Sequence, residues 1–195
     1  MKLAVILGSV REGRVTERLA KWALKAAKEL PDTEVELLDL KDYPMPFFAE
    51  SVSPKSNPDR HPEPIAKKWL DALNGSDAYL IVTPEYNHSI PGVLKNALDY
   101  LDWQMSKKPT AIVSHGSTGG ARATAHLKGI ISEIRGVAIS TNVAFAHRVS
   151  ESINEEGILN EELAANEHGP NTALHNSLAE LKWYSDALAT ARAKD

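Results

Sequence analysis

The sequence predicts an α/β protein built on a doubly wound parallel sheet. Short, mostly apolar segments such as Lys2 to Leu7 and Asp77 to Thr83 are typical of strands that helices cover on both faces. Between them, Thr16 to Leu30 places its apolar residues at helical spacing, with Pro31 just beyond its end. Because the two patterns alternate along the chain, we expect right-handed crossovers and a parallel sheet with helices on both faces.

Each strand is justified by its own pattern. Lys2 to Leu7 is an apolar run that ends at Gly8, and Val35 to Leu40 alternates apolar with polar residues. The third strand, DAYLIVT, is the most apolar of the five, and TAIVS and GVAISTNV are the fourth and fifth strands. The predicted strands are Lys2 to Leu7, Val35 to Leu40, Asp77 to Thr83, Thr110 to Ser114 and Gly136 to Val143. Five such strands predict a flavodoxin-like open sheet, whose ligand lies at the carboxyl ends of the strands.

The helices fall between and after these strands. Proline or glycine at positions 91 and 92 opens a helix through Leu101, and a glycine-rich turn opens another, from about 120 to 134. Beyond an acidic, polar stretch from 150 to 170, which we expect to be irregular, the apolar residues share one helical stripe. That C-terminal stripe comprises Leu174, Leu178, Leu181, Tyr184 and Leu188.

The segment from Tyr43 to Pro64 contains six prolines and shows no periodicity. So long a loop in a compact domain is often functional, which predicts a lid or a partner surface. A surface connection stiffened by proline explains the same composition. The sequence leaves both interpretations open.

Composition limits the class of protein. The length of 195 residues and the hydrophobic fraction of 43% suit one domain over residues 1–195. The chain has no cysteine, which excludes disulfides and thiolate chemistry and favours a cytoplasmic location. No apolar run approaches the roughly 20 residues that a membrane helix needs, so we expect no membrane association. The net charge of −4 gives no indication of nucleic-acid binding.

The first strand ends in a loop, GSVREGRV, that resembles a phosphate-binding turn. A nucleoside-triphosphatase loop requires Lys and then Ser or Thr after its second glycine, where this chain has Arg14 and Val15. A dinucleotide fingerprint requires glycine at Val10. What remains is a turn before a helix with hydroxyl, guanidinium and backbone donors, which suits one terminal monophosphate. The donor side chains are Ser9, Arg11, Arg14 and Thr16. The alternative is a helix cap with solvated arginines.

Two further loops follow the third and fourth strands. The stretch TPEYNHSIPGVLKNALDYL can present rigid backbone groups and Asn87 to a flat polar ring edge, with Tyr86 beside it. The stretch SHGSTGG lets the backbone approach a ligand closely, and its free N–H groups can serve carbonyl oxygens or a developing anion. Taken singly, each segment is also explained as an ordinary turn or a packed helix face.

Together, GSVREGRVTERLA, TPEYNHSIPGVLKNALD and SHGSTGG resemble the three flavin-contacting segments of the NADPH-dependent FMN reductase family, from about Lys2 to Val143. The resemblance assigns the FMN phosphate to the first loop, the isoalloxazine to the second and its pyrimidine side to the third. The phosphate residues are Ser9, Arg11 and Thr16, with Arg14 and Val15 beside them. The ring residues are Pro84, Glu85, Tyr86 and Asn87, then Ser114, His115, Gly116, Gly119 and Gly120.

The resemblance implies a flavodoxin-like homodimer or homotetramer that uses NADPH or NADH to reduce FMN and then a small-molecule acceptor. Family acceptors include flavin, quinones, azo compounds and metal oxyanions. Because the flavin carries the redox chemistry, no protein acid or base is required. If nicotinamide and acceptor share one open face of the ring, the kinetics should be ping-pong. Arg14 or Arg122 could meet a 2′-phosphate of NADPH.

Three alternatives compete with this interpretation. A flavodoxin-type electron carrier shares fold and cofactor but normally steers to partners through a strong acidic field, and −4 is modest. A serine hydrolase would need glycine at His115 for its nucleophile elbow. The seven histidines lack metal-site spacing, and we expect structural or solvent-facing roles for His88 and His115.

An excess of apolar residues near the PEYN segment predicts self-association. The residues concerned are Tyr86, Ile90, Tyr100, Leu101 and Trp103.

Overall fold

A computed structural model describes residues 1–194; Asp195, the last residue of the predicted domain, lies outside the described residues. The strands are β1 (Lys2–Leu7), β2 (Glu34–Asp39), β3 (Ala78–Pro84), β4 (Pro109–His115), β5 (Val137–Ala138) and β6 (Val143–Phe145). They form one sheet in the order β2-β1-β3-β4-β5, and β6 also pairs with β4. Every pairing is parallel, so the predicted doubly wound parallel sheet is confirmed.

Helices cover both faces of this sheet. They are α1 (Thr16–Lys28), α2 (Pro64–Asn74), α3 (Gly92–Asp99), α4 (Ala121–Glu133), α5 (Val149–Ser152), α6 (Glu161–Ala165) and α7 (Pro170–Arg192). On β1, Leu3 and Val5 enter the core under α1 and α7, while Ala4 and Ile6 enter the core under α2, α3 and α4. Each buried Leu or Ile contributes about 1.5–3 kcal/mol, so the sheet is stabilised from both sides.

Helix α2 was not predicted from the sequence. Pro64 supplies its first turn, where the missing N–H costs nothing, and Trp69, Leu70 and Leu73 bury one face at helical spacing. The helix follows directly on the proline-rich segment, which conceals its start. The signal that could have found it was the apolar period from 65 to 73.

The fifth sheet position is interrupted where one strand, Gly136 to Val143, was predicted. Residues 139–142 leave the ladder between β5 and β6. There the Glu180 carboxylate of α7 accepts hydrogen bonds from the Ser140 hydroxyl at 2.9 Å and the Thr141 N–H at 3.1 Å. A contact forty residues along the chain therefore interrupts the edge strand, and the local pattern carries no sign of it.

The proline-rich segment is tied to the body of the protein. Asn96 accepts from the Phe48 N–H and donates to the Pro46 carbonyl, both at 2.8 Å. Arg60, whose side chain is 5% exposed, pairs with Glu50 at 2.7 Å and donates to the Tyr100 carbonyl at 2.7 Å. These contacts favour the stiff surface connection over a lid.

The apolar residues near the PEYN segment do not form the exposed patch that we expected. Ile90, Tyr100 and Leu101 are buried in the core of their own chain. Trp103 is exposed, with the Arg135 guanidinium 4.7 Å from its ring centre. Three of the five residues from which self-association was predicted are therefore used in intramolecular packing.

No helix within residues 1–194 has the length and apolar character needed to cross a bilayer.

Candidate functional site

Three loops meet at one edge of the sheet. They follow β1, β3 and β4, which are neighbours in the sheet order, so their carboxyl ends lie side by side. The hydroxyl groups of Ser9 and Tyr86 lie 3.0 Å apart, and Thr16 Oγ1 lies 2.8 Å from His115 Nε2. These side-chain contacts join the first loop to the second and to the third. The three loops therefore form one continuous region at this edge of the sheet, in which Ser9 and Thr16 are buried.

The first loop leaves β1 through a close approach of backbone to backbone. The Gly8 N–H donates to the Val82 carbonyl at 2.9 Å, and a Cβ on Gly8 would meet the Leu94 side chain at 2.9 Å. Ser9 is buried, whereas Arg11 is exposed and its guanidinium has no hydrogen bond or ion pair to any described residue. The loop therefore presents one free cationic side chain at the start of α1.

Arg14 is held inside the protein. Its side chain is 4% exposed, and it forms a two-pronged ion pair with the carboxylate of Asp39 at the end of β2. One of its nitrogens also donates to the Ser9 carbonyl, while its Nε is buried with no partner among residues 1–194. Desolvation opposes the charge, but the hydrogen bonds and attraction to Asp39 raise the pKa of Arg14 above its ordinary value. Arg14 thus fixes the loop to β2, which the sequence did not indicate.

The second loop is a two-residue hairpin. Tyr86 and Ser89 exchange backbone hydrogen bonds at 2.8 and 3.0 Å, and the two residues between them have positive φ, 49° at Asn87 and 66° at His88. Asn tolerates this left-handed conformation well, whereas His adopts it less readily. Both side chains are exposed, so the turn presents Asn87 and His88 outward, beside Tyr86.

Glu85 joins the second loop to the third. Its side chain is 6% exposed and accepts hydrogen bonds from the backbone N–H groups of Arg122 at 3.0 Å and Ala123 at 3.3 Å. The Arg122 guanidinium donates to it at 3.1 Å. Desolvation opposes ionisation, but these hydrogen bonds lower the pKa of Glu85 below its ordinary value. The carboxylate therefore lies ionised at the start of α4.

The third loop, residues 116–120, is the glycine loop, and it is closed by its own hydrogen bonds. Ser114 Oγ donates to the Gly119 carbonyl at 2.8 Å and accepts from Thr124 Oγ1 at 2.9 Å. Gly120 has φ of 77°, and a Cβ there would lie 2.7 Å from Ser114 Cβ. The N–H groups of Ser117 and Thr118 have no acceptor within the part of the chain that the structure describes. The turn is thus rigid and keeps backbone donors available.

His115 ends β4 and is mostly buried against Thr16. Burial lowers its pKa from 6.5 to about 4, so the imidazole is neutral near pH 7. A neutral imidazole can donate to or accept from the Thr16 hydroxyl but contributes no positive charge. His115 therefore orients Thr16, in agreement with the structural role expected for it.

A pocket of about 390 Å³ opens beside these loops. Val15 and the segment His115 to Ser117 form one side, and residues 146–150, which follow β6, form the other. Its size falls within the range of small-molecule sites. This second wall, with His147 and Arg148, was not predicted from the sequence, although its position after the fifth predicted strand was a signal for it.

A larger pocket of about 560 Å³ lies away from the three loops, between Arg18 and the segment 150–160. Polar groups that line this pocket already bond to each other, because the Arg18 guanidinium donates to the carbonyls of Ser150 and Ile153 at 3.2 and 3.0 Å. Among residues 1–194, no group of three or more His, Cys, Asp or Glu side chains could hold a metal ion. The convergent loops are therefore the better candidate site.

Residues 1–150 match the family described as NADPH-dependent FMN reductase. An NAD(P)H-dependent FMN reductase of Schizosaccharomyces pombe is 36% identical over 127 residues, which cover 65% of this chain and 64% of that protein. A quinone reductase of Pseudomonas putida is 35% identical over 125 residues, covering 60% of this chain and 62% of that protein. The aligned part thus spans less than two thirds of either curated relative.

A solved structure covers nearly the whole chain. It is FerB, a flavoenzyme NAD(P)H:(acceptor) oxidoreductase from Paracoccus denitrificans, with 25% identity and a TM-score of 0.72. The similarity covers 97% of this chain and 97% of that one. The likeness therefore includes α7 and the stretch before it, which was predicted to be irregular but contains the short helices α5 and α6.

Proposed function

Because the chain belongs to the NADPH-dependent FMN reductase family, we propose that it is an NAD(P)H-dependent oxidoreductase that uses FMN to reduce a small-molecule acceptor. The observation that carries the proposal is the meeting of the loops after β1, β3 and β4 at one sheet edge, joined by the Ser9–Tyr86 and Thr16–His115 contacts. Ligands of open α/β sheets bind at that edge. The family resemblance predicted from the sequence is confirmed.

The residues present fit FMN. A phosphate dianion needs donors and positive charge, and the first loop offers the free guanidinium of Arg11 and the N–H groups at the start of α1. The buried Nε of Arg14 has no hydrogen-bond partner among the described residues, and an anion beside the loop would supply the missing acceptor. The N–H groups of Ser117 and Thr118 suit the carbonyl oxygens of a flavin pyrimidine ring.

These fits support a separate role for each loop. We propose that Ser9, Arg11 and Thr16 contact the phosphate. Ser9 and Thr16 are buried, so their hydroxyls would exchange Tyr86 and His115 for the phosphate. Val15 would line the pocket beside them, and Arg14 would hold the loop in shape. Pro84, Tyr86 and Asn87 would border the isoalloxazine. Gly116, Gly119 and Gly120 would carry the backbone that meets its pyrimidine side, while Ser114 and His115 hold the ends of that turn.

When bound, FMN supplies the redox chemistry, accepting two electrons from NAD(P)H and passing them to the acceptor. The chain's own contribution is to bind, orient and tune, since His115 is neutral and hydrogen-bonded to Thr16, and the Glu85 carboxylate is held by Arg122 and Ala123. Preorganised N–H donors at the pyrimidine edge stabilise negative charge that develops there.

The relatives support one class of acceptor. A quinone reductase among them favours a flat, conjugated acceptor such as a quinone. We propose ping-pong kinetics, in which nicotinamide and acceptor occupy the same space in turn, and parallel double-reciprocal plots would support this. Arg14 and Arg122 are both engaged by carboxylates, so neither stands free as a 2′-phosphate ligand for choosing NADPH over NADH.

A flavodoxin-type electron carrier is the second candidate, because it shares the sheet and the cofactor. Oxidation of NAD(P)H by the protein alone distinguishes the two. We further propose that the chain acts as one domain, in the cytoplasm, and as a homodimer or homotetramer. Phe47, Trp103 and Trp183 are exposed aromatic side chains that an interface would cover.

One pair of variants tests the phosphate assignment. Arg11→Ala should weaken FMN binding about 10- to 100-fold, because it removes a charge-assisted donor, while leaving the free energy of unfolding nearly unchanged. Arg14→Ala should lower that free energy by about 1–3 kcal/mol, because the Asp39 carboxylate and the Ser9 carbonyl lose a hydrogen-bond donor. Fluorescence titration with FMN and urea denaturation measure the two quantities.

Lys25→Ala is the matched control, since Lys25 is an exposed cation of α1 remote from the loop. It should change neither quantity. Wild-type FMN affinity in Arg11→Ala would show that the phosphate lies elsewhere.

A further inference from the structure

Glu85 is the one carboxylate among the predicted ring-contacting residues, yet its oxygens are directed into the protein. They accept from the N–H groups of Arg122 and Ala123 and from the Arg122 guanidinium, at 3.0, 3.3 and 3.1 Å. With 6% of its side chain exposed, Glu85 has little surface to offer a ligand. Its place in the PEYN segment needs another explanation.

The backbone around Glu85 is locked to the glycine loop. The Glu85 N–H donates to the His115 carbonyl at 2.8 Å, which extends the β3–β4 ladder by one residue. A Cβ on Gly116 would lie 3.0 Å from Glu85 Cβ, closer than side chains normally approach. The glycine loop is therefore folded directly against Glu85, and moving one would move the other.

The charge of Glu85 lies at the N-terminus of α4. The unpaired N–H groups of a helix N-terminus carry roughly half a positive charge, and Glu85 accepts from two of them. The Arg122 guanidinium adds a full positive charge that is partly exposed to solvent. Glu85 therefore offsets the positive potential which α4 and Arg122 would otherwise project over the glycine loop.

We propose that Glu85 is a positioning residue that fixes the glycine loop 116–120 and lowers the electron affinity of FMN bound against that loop. The inference rests on the proposed function, because it requires FMN at this edge of the sheet. Two-electron reduction adds negative charge to the flavin, so a nearby fixed anion disfavours it and a nearby cation favours it. Glu85 and Arg122 therefore act on the midpoint potential with opposite signs.

The test is the two-electron midpoint potential of bound FMN, measured by dithionite titration against a reference dye. Glu85→Gln removes the charge but keeps an acceptor oxygen, and should raise the equilibrium constant for reduction about three- to tenfold, or about 15–30 mV. Arg122→Ala, at an exposed site, should shift the potential in the negative direction. Opposite shifts support the proposal, and a stability change alone does not produce them.

Glu180→Gln is the matched control. Glu180 also accepts from a backbone N–H and a side chain, but it lies on α7 away from the three loops. This variant should lose stability without any change in potential. An unchanged potential in a flavin-loaded Glu85→Gln, or equal shifts in Glu85→Gln and Glu180→Gln, would overturn the proposal.

Three further outcomes stay decisive. If Glu85→Gln fails to hold FMN, Arg122→Ala decides alone, and a potential that does not fall overturns the proposal. If the wild type binds FMN but NAD(P)H does not reduce it, the proposed function fails while dithionite titration still tests Glu85. A wild type that binds no FMN would overturn both.

Discussion

Glycine-to-alanine substitutions at three positions separate the two reasons for which position 120 of the glycine loop requires glycine. These are a left-handed backbone and a crowded Cβ position. Gly120 has φ of 77°, and a Cβ there would lie 2.7 Å from Ser114 Cβ and 2.9 Å from the His115 nitrogen. Gly13 has φ of 65° with nothing within 4 Å of its Cβ position. Gly129 lies inside α4, also with nothing within 4 Å. Alanine would therefore meet both backbone strain and crowding at Gly120, backbone strain alone at Gly13, and neither at Gly129.

The expected magnitudes follow directly. Left-handed backbone costs a residue with a side chain about 1–2 kcal/mol, and overpacking adds about 1–3 kcal/mol. Gly120→Ala should therefore lower the free energy of unfolding by about 2–5 kcal/mol, and Gly13→Ala by about 1–2 kcal/mol. Gly129→Ala should raise it by about 0.5–1 kcal/mol, because alanine is the better helix former.

Urea denaturation with an unchanged slope measures all three variants on one scale. Flavin titration adds a second test, since Gly120→Ala distorts the turn that we place against FMN and should weaken binding. If Gly120→Ala and Gly13→Ala had the same free energy of unfolding, the crowding of a Cβ at position 120 by Ser114 and His115 would be refuted. A destabilising Gly129→Ala would refute the placement of Gly129 in an uncrowded helix.

Three further outcomes are expected. Burial lowers the pKa of His115 from 6.5 to about 4. The contribution of the neutral imidazole to the free energy of unfolding is therefore full above pH 6.5 and is lost as the pH falls toward 4, a decrease of about 3 kcal/mol. His115→Gln should remove this decrease, which urea denaturation at several pH values measures. Arg60→Ala should free the segment around Glu50 for cleavage by a protease at native pH, whereas equal cleavage of the wild type would contradict the ties of the proline-rich segment. Glu180→Ala should cost about 1–2 kcal/mol through the hydrogen bonds at Ser140 and Thr141, and wild-type stability would contradict that anchor.

The sheet could be predicted because its signals are local. The apolar runs of β1, β3 and β4 and the period of α1 lie within single elements, and the structure places each within two residues of the predicted bounds. The break between β5 and β6 could not be predicted in this way, since Glu180 lies forty residues further along the chain. Helix α2 was missed although its signal was present, because prolines precede it.

The candidate site shows the same division. The three loops were identified from their glycines, prolines and donors, because strand ends and turn chemistry are visible in sequence. The partner of each polar side chain was not, since it depends on which strands become neighbours. Arg14 meets Asp39 only because β2 lies beside β1, and Glu85 reaches Arg122 only because α4 begins next to β3.

Anaerobic reduction of the FMN-loaded protein by NADPH or NADH tests the central claim most directly. The account predicts one FMN bound per chain, and loss of the visible flavin absorption bands on addition of one equivalent of NADPH or NADH, followed by their return when a quinone is added. Bound FMN whose bands persist in excess NADPH and NADH would indicate an electron carrier. Absence of FMN binding would contradict the account altogether.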